Sequence, residues 1–209
     1  MSVLTLRDYE RIFRVIHGLL LNEDGDPSLA CSYFGIIGAE LLKMRHGTHA
    51  VPVFGAAAYR LPMDGADVIA FGLPTPYGVA SDDKAFHCWV EAGDKVIDFQ
   101  APLFQEQAQR QRPKANFPPR MLQRSKAAAR PFPEVFSLSA SHAHLPNNSL
   151  SRELIDDFYR RRANEDLITA ACDWYRPSPW KIQASLSIGN QKGEVREVPL
   201  SPIRVNSAW

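Results

Sequence analysis

The sequence has few cysteines and no excess of either charge. Its 209 residues include three cysteines, none in a Cys-x-x-Cys pair, and the formal net charge at neutral pH is +1. An odd number of unclustered cysteines argues against a disulfide framework and favours a reducing compartment, so we expect a cytoplasmic protein. A net charge so close to zero gives no overall attraction to nucleic acids or membrane surfaces, and we expect neither as a partner.

Long apolar runs are also lacking, and none is long enough to cross a bilayer. Charged residues interrupt the apolar runs near the N-terminus, so we expect no signal peptide there; they are Arg7, Asp8, Glu10, Arg11 and Arg14. Phosphate loops, dinucleotide fingerprints and internal repeats are absent from the sequence, and we expect no cofactor. The hydrophobic fraction of 45% is ordinary for a globular protein, and the length suits one domain spanning residues 1–209.

A strongly marked helix start precedes Cys31. The tripeptide Asp26-Pro27-Ser28 offers capping side chains and a proline suited to the first helical turn. The run 29–45 is largely apolar and ends in basic residues shortly before a glycine, which is typical of a helix end. Cys31 is therefore predicted within about the first turn. The N–H groups and the helix dipole favour a thiolate there and could hold a developing oxyanion.

Two short strands around a Gly-Asp turn carry a histidine and an aspartate. If Gly93-Asp94 is a two-residue loop, Trp89 lies opposite Asp98, and His87 lies opposite Gln100. One face then presents His87, Trp89, Glu91, Val96, Asp98 and Gln100, in front of an apolar core face. His87 and Asp98 become diagonal neighbours, roughly 7–8 Å apart at Cα and within reach of one hydrogen bond. An odd-length loop would place them on opposite faces.

Cys31, His87 and Asp98 are the residue types of a nucleophile, base and orienter set. The segments that carry them resemble the transglutaminase-like branch of the papain-like thiol enzymes. In that superfamily a cysteine begins a buried helix, and a strand, a His-x-Trp-x-Glu strand and a strand ending in aspartate follow. The matching segments here are Cys31, 50–59, 87–91 and 96–98, so the resemblance covers roughly residues 26–102.

The resemblance implies an α+β, papain-like (transglutaminase-like) fold in which the cysteine-bearing helix packs on a mostly antiparallel sheet. It also implies that Cys31 is the nucleophile, His87 the general base and acid, and Asp98 the orienter. Some relatives place an extra oxyanion donor ahead of the cysteine, and Asn22 is the nearest polar residue there. Trp89 is either core or a wall of the site, and Gln100 is an alternative amide partner for the imidazole.

The function expected from this set is hydrolysis of a small-molecule or peptide substrate, by attack on an amide or thioester carbonyl, through an acyl-thioester intermediate. Acyl transfer to an amine is the second reading, in the manner of transglutaminases or amine N-acyltransferases. A catalytically inactive binding domain that retains the fold is the third. A Cys31 sulfur with no path to solvent would favour that third reading. The sequence gives no indication of oligomeric state.

The remaining segments are predicted to have structural roles. Residues 105–130 carry seven basic residues against one acidic residue and three prolines, which indicates a solvated surface insertion rather than a site for an anionic partner. One helix is predicted over 151–174, and a C-terminal hairpin at about 182–200. The pairs His142/His144 and His46/His49 lack a third ligand at a recognisable spacing, so no metal site is expected.

Overall fold

The computed structural model describes residues 3–23, 25–61, 67–76, 78–189 and 193–209. The turn-rich link expected at 62–66 and the tip of the C-terminal hairpin at 190–192 lie outside the described residues. The helices are α1 (Leu6–Asn22), α2 (Cys31–His46), α3 (Phe104–Gln111), α4 (Phe132–Val135), α5 (Asn148–Tyr159) and α6 (Arg162–Trp174). Short 3₁₀ helices cover Pro27–Leu29, Ala101–Leu103 and Lys126–Ala128.

The strands are β1 (Ala50–Arg60), β2 (Val68–Phe71), β3 (Leu73–Thr75), β4 (Gly78–Ala80), β5 (His87–Ala92), β6 (Lys95–Asp98), β7 (Leu122–Ser125), β8 (His142–Pro146), β9 (Ser185–Gly189) and β10 (Val195–Pro199). The main sheet has the order β2-β1-β5-β6-β7, with β8 also paired to β1, and all of these pairs are antiparallel. The expected α+β class with an antiparallel sheet is confirmed. Within the described ranges, none of the helices has the length and apolar character needed to cross a bilayer.

The long strand β1 organises the sheet because its two halves have different neighbours. Its first half pairs with β5, where Gly55 lies opposite His87, and its second half pairs with β2, where Ala57 lies opposite Phe71. The end of β2 and the start of β5 therefore meet along the same strand. This arrangement brings the side chains of Phe71 and His87 together.

Helix α2 packs closely on β5 because small residues face the strand. A Cβ atom added to Gly35 would clash with the Cys88 side chain, so the approach of helix and strand depends on this glycine. The other end of α2 is closed by Gly47, as the sequence predicts. At its start, Asp26 caps the preceding 3₁₀ turn rather than α2 itself. Cys31 is consequently the first residue of the α-helix and lies beside the start of β5.

The β5–β6 hairpin has the register that the sequence predicts. Ala92 pairs with Lys95 and Glu91 pairs with Val96, so the loop consists of two residues. Gly93 adopts a left-handed conformation with φ of 57°, which glycine enters without steric cost. The even loop length keeps the predicted site residues of the two strands on one face.

That face is covered, which differs from the expectation of an open polar face. A second apolar cluster packs on it and includes Tyr59, Trp89, Phe104, Phe117 and Leu122. A larger cluster, formed with α1, α2, α5 and α6, fills the opposite face. The sheet is thus buried on both sides, and a site on it must open at an edge.

The basic segment 105–130 is not a peripheral insertion. Its strand β7 pairs with β6 in the main sheet, and Phe117, Met121 and Leu122 are buried. The excess of basic residues in the segment hides this pattern in the sequence. The buried apolar residues lie near the middle of the segment and face the core. The first part of the segment forms most of α3, which lies beside the 3₁₀ turn ahead of Cys31.

The helix expected over 151–174 is two helices, because the chain turns at Arg160 and Arg161. The side-chain amide of Asn164 donates to the Phe158 carbonyl (2.8 Å) and stabilises the turn. The break allows α5 to pack on β1 and α6 to pack on α2. The predicted C-terminal hairpin is confirmed in its two strands, β9 and β10.

Candidate active site

A buried histidine–aspartate pair forms the base of the site. The His87 Nε2 lies 2.6 Å from Asp98 Oδ2, and both side chains are buried. The second carboxylate oxygen, Oδ1, accepts the backbone N–H of Gln100 (2.9 Å). The diagonal contact expected from the hairpin register is therefore present, and Asp98 rather than Gln100 contacts the imidazole.

Aromatic neighbours fix the orientation of the imidazole. The Phe71 ring stacks on His87 with centroids 4.1 Å apart and planes 13° apart, and Tyr59 packs edge-on at 6.0 Å. Since Nε2 is bonded to Asp98, the other ring nitrogen, Nδ1, is the one left for chemistry. Nδ1 is buried and has no hydrogen-bond partner among the described residues.

Cys31 lies close enough to His87 to influence its protonation. Burial lowers the pKa of the His87 imidazole, but the charge and hydrogen bond of Asp98, followed by the neighbouring Cys31 side chain, raise it to about 9. A pKa of about 9 favours the imidazolium form at neutral pH, which places a positive charge beside the Cys31 sulfur. Cys31 is buried, with 8% of the residue exposed, and it lines a cleft together with His87.

The start of α2 supplies free hydrogen-bond donors beside the thiol. The N–H groups of Tyr33 and Phe34 both donate to the Ala30 carbonyl, at 3.0 and 3.2 Å. The N–H groups of Cys31 and Ser32 find no acceptor among the described residues. Two unpaired donors next to a nucleophile can stabilise an oxyanion.

Two glutamines connect the cysteine turn to the aspartate. The Gln100 amide donates to the carbonyls of Pro27 (3.0 Å) and Ser28 (3.1 Å), immediately before the helix that Cys31 begins. The Gln107 amide, from α3, donates to Ser28 and to the Gln100 side chain. Because the Gln100 backbone also bonds Asp98, Gln100 positions both ends of the candidate triad.

Two of the predicted site residues lie elsewhere. Trp89 is fully buried, its ring packs 4.7 Å from His144, and it does not line the cleft. Its position opposite Asp98 places it in the second apolar cluster. Asn22 ends α1, donates to the Glu23 carboxylate (3.1 Å) at the surface, and is also absent from the cleft lining. Neither residue forms a wall of the site.

Several functional neighbours are invisible in the local sequence. The Tyr9 hydroxyl donates to the Asp98 carbonyl oxygen. Burial and the nearby Asp98 raise the pKa of Tyr59 well above its ordinary value, so Tyr59 stays neutral. With Phe71 and Gln107, these residues come from four separate elements. Their spacing to His87 in the chain carries no signal of contact.

One histidine of each predicted pair contacts a tyrosine hydroxyl. The described residues contain no cluster of three or more His, Cys, Asp or Glu side chains that could hold an ion. Burial lowers the pKa of His142 to about 4 and that of His144 well below 6.5, so both rings are neutral. His144 Nε2 lies 3.0 Å from the Tyr59 hydroxyl, and His46 bonds the Tyr175 hydroxyl (2.6 Å).

The candidate active site opens into a cleft of about 1010 Å³. Strand β2 lines it with Val68, Ile69, Ala70 and Phe71, and α3 lines it with Gln107, Ala108, Arg110 and Gln111. Cys31, His87 and Gln100 also line it. A thiol, an imidazole and free N–H groups in one accessible cleft can carry out acyl chemistry.

Comparison with known proteins identifies the family. A family model described as a protein of unknown function, DUF2026, matches residues 5–209. A solved chain described as the crystal structure of genomics APC5867 is 32% identical, with a TM-score of 0.86, and the match covers 100% of this chain and 98% of that one. A comparison with curated proteins gave no match. The chain belongs to the DUF2026 family.

Proposed function

We propose that this protein is a cysteine-dependent acyl hydrolase, acting on an amide or related acyl bond of a small-molecule or peptide substrate. Cys31 is the nucleophile, His87 the general base and acid, and Asp98 the orienter. The assignment of the α+β fold to the transglutaminase-like branch of the papain-like enzymes belongs to the same proposal. The observation that carries it is the buried bond between His87 Nε2 and Asp98 Oδ2. It leaves Nδ1 without a hydrogen-bond partner among the described residues, on a ring that lines the cleft with Cys31.

The chemistry follows from these positions. The Cys31 proton resides on His87 Nδ1 in the imidazolium form of the pair, and the Cys31 sulfur attacks the carbonyl carbon as a thiolate. The oxyanion that forms lies near the free N–H groups of Cys31 and Ser32. His87 then returns the proton to the leaving group, which departs and leaves an acyl thioester on Cys31. Water, deprotonated by His87, attacks the thioester, and the acid and the thiol are released.

The position of Cys31 in the cleft lining favours an enzyme over an inactive binding domain. A sulfur without a path to solvent could not meet a substrate, whereas Cys31, although largely buried, lines the cleft. The charged state of the buried imidazole also favours an enzyme. A buried histidine kept charged by a buried aspartate costs desolvation, and such perturbed groups concentrate at functional sites.

The test is acylation of the purified protein by donors of three classes, namely p-nitrophenyl esters, thioesters and peptidyl amides. Intact-mass spectrometry should detect a thioester adduct on Cys31, and chromatography should detect released acid. We expect Cys31→Ala to reduce turnover by at least about a thousandfold. Cys172→Ala is the control, because Cys172 is buried outside the cleft lining and should leave turnover unchanged.

Retained turnover in Cys31→Ala would contradict the proposal. Failure of all three donor classes to acylate Cys31 would also contradict it and favour the binding domain. Release of an acyl amine in place of acid, when an amine is added, would identify transfer as the preferred second step.

A further inference from the structure

The cleft is more basic than the protein as a whole. Four cationic side chains line it, against one carboxylate, Asp67; the cations are Arg60, Lys84, Arg110 and Arg112. The whole chain has a formal net charge of only +1. The positive charge is therefore concentrated around the cleft that holds Cys31.

Two of the cations already have acidic partners. Arg110 pairs with Asp26 and donates to the Ser28 hydroxyl (2.8 Å). Arg112 pairs with Asp67 (2.9 Å). These pairs compensate their charges and connect α3 to the segments opposite.

The other two cations have no carboxylate partner among the described residues. Arg60 is partly buried and donates one guanidinium N–H to the Phe136 carbonyl, while its Nε is buried without a hydrogen-bond partner among those same residues. Lys84 is exposed and also lines the cleft. A partly buried cation that has only a neutral oxygen to bind is well placed for an anionic ligand.

Apolar side chains accompany the cations. Leu29, two residues before Cys31, is 64% exposed, and Phe136 is 54% exposed beside Arg60. Phe71 and Phe86 line the same cleft. The lining thus combines apolar contacts near the thiol with two positive charges that have no carboxylate partner within the described part of the chain.

We propose that the cleft selects acyl donors that carry an anionic group, a carboxylate or a phosphate, and that Arg60 and Lys84 bind it. The identification of the ligand as an acyl donor rests on the proposed function, whereas binding of the anion does not. An apolar segment of the substrate occupies the space by Leu29 and Phe71, and its carbonyl reaches Cys31.

Binding is measured in Cys31→Ala, which has no nucleophile, by calorimetry with three matched compounds. Adipamide is neutral, adipamate replaces one amide with a carboxylate, and 5-phosphonopentanamide carries a phosphonate. We expect at least one anionic compound to bind about tenfold or more tightly than adipamide. The anionic compound that binds more tightly distinguishes a carboxylate from a phosphate ligand. The preference should shrink between 0.05 and 0.5 M salt because exposed charges are screened.

Charge-matched variants locate the anion. In the same background, Arg60→Gln with Lys84→Gln should abolish the preference. Arg152→Gln with Lys181→Gln removes the same charge from exposed positions outside the cleft lining and should preserve it. Arg60→Lys should retain most of it, since the charge remains.

Equal affinity for adipamide and both anionic compounds, or no binding of either anion at millimolar concentration, would overturn the inference. An undiminished preference in the cleft variant would do the same. These outcomes are separate from failure of the catalytic proposal. If only the catalytic proposal fails, the anionic compounds still bind to Cys31→Ala, but no donor acylates Cys31 in the wild-type protein.

Discussion

Replacing Asp98 with asparagine removes one charge from the buried pair at almost constant volume. Both carboxylate oxygens are acceptors, one for His87 Nε2 (2.6 Å) and one for the Gln100 N–H (2.9 Å). Asparagine has a single oxygen, so its NH₂ group must face one of these two donors. Asp98→Asn therefore removes the charge that stabilises the imidazolium and weakens the network that positions it.

The magnitude follows from the pKa of His87. In the wild-type protein the Asp98 carboxylate is the largest of the influences that raise this pKa, to about 9, against the lowering effect of burial. At pH 7.5 the ring is then about 97% protonated. Without the carboxylate, burial should bring the pKa to 6.5 or below, which leaves at most about 10% imidazolium. We expect alkylation of Cys31 at pH 7.5 to slow by about tenfold or more.

The assay is the pseudo-first-order rate of iodoacetamide labelling at Cys31, followed by peptide mass spectrometry from pH 5 to pH 10. The wild-type imidazolium is present below pH 9 and is lost as the pH rises through 9. In Asp98→Asn the loss should occur at or below pH 6.5. Asp94→Asn is the matched control, because Asp94 lies in the loop of the same hairpin and contacts Lys95 instead (2.9 Å).

Equal labelling rates in the wild type and in Asp98→Asn, with folding verified by circular dichroism, would refute this reasoning. The His87–Asp98 bond would then be structural and would not prepare the thiol. A similar decrease in Asp94→Asn would show that any disturbance of the hairpin is sufficient, and the electrostatic explanation would be wrong.

The remaining predictions concern thiol selectivity and acid stability. Burial raises the pKa of the Cys88 and Cys172 thiols, so limited iodoacetamide near pH 6 should label Cys31 first, and peptide mass spectrometry showing either other cysteine ahead of it would contradict the site. Burial and then the charge of Arg124 lower the pKa of His142 to about 4, so the stability that its neutral ring provides is present above pH 6.5 and is lost as the pH falls towards 4. At pH 5 this loss amounts to about 2 kcal/mol of unfolding free energy. In urea titrations, the decrease in unfolding free energy from pH 7.5 to pH 5 should therefore be about 2 kcal/mol smaller in His142→Leu than in the wild type. An unchanged pH dependence would exclude His142 as a source of acid sensitivity.

Features that depend on residues close in the chain could be read from the sequence. The register of β5 and β6 follows from a two-residue loop and the alternation of side chains, and these place His87 and Asp98 on one face. The helix start before Cys31 follows from Asp26 and Pro27, although that cap closes a 3₁₀ turn one step earlier. Local geometry is sufficient in both cases because neighbouring residues leave the backbone few alternatives.

Features that depend on distant segments were decided by packing. The pattern of β5 does not show that a second apolar cluster covers Trp89, because that cluster comes from β1, α3 and β7. The charges of 105–130 conceal the strand that extends the sheet at β6. Phe71 stacks on His87 since both strands pair with β1, and Arg60 and Lys84 reach one cleft from different elements. The sequence alone determined which groups could react, and the tertiary structure decided what surrounds them, because burial and charge at the site come from residues far apart in the chain.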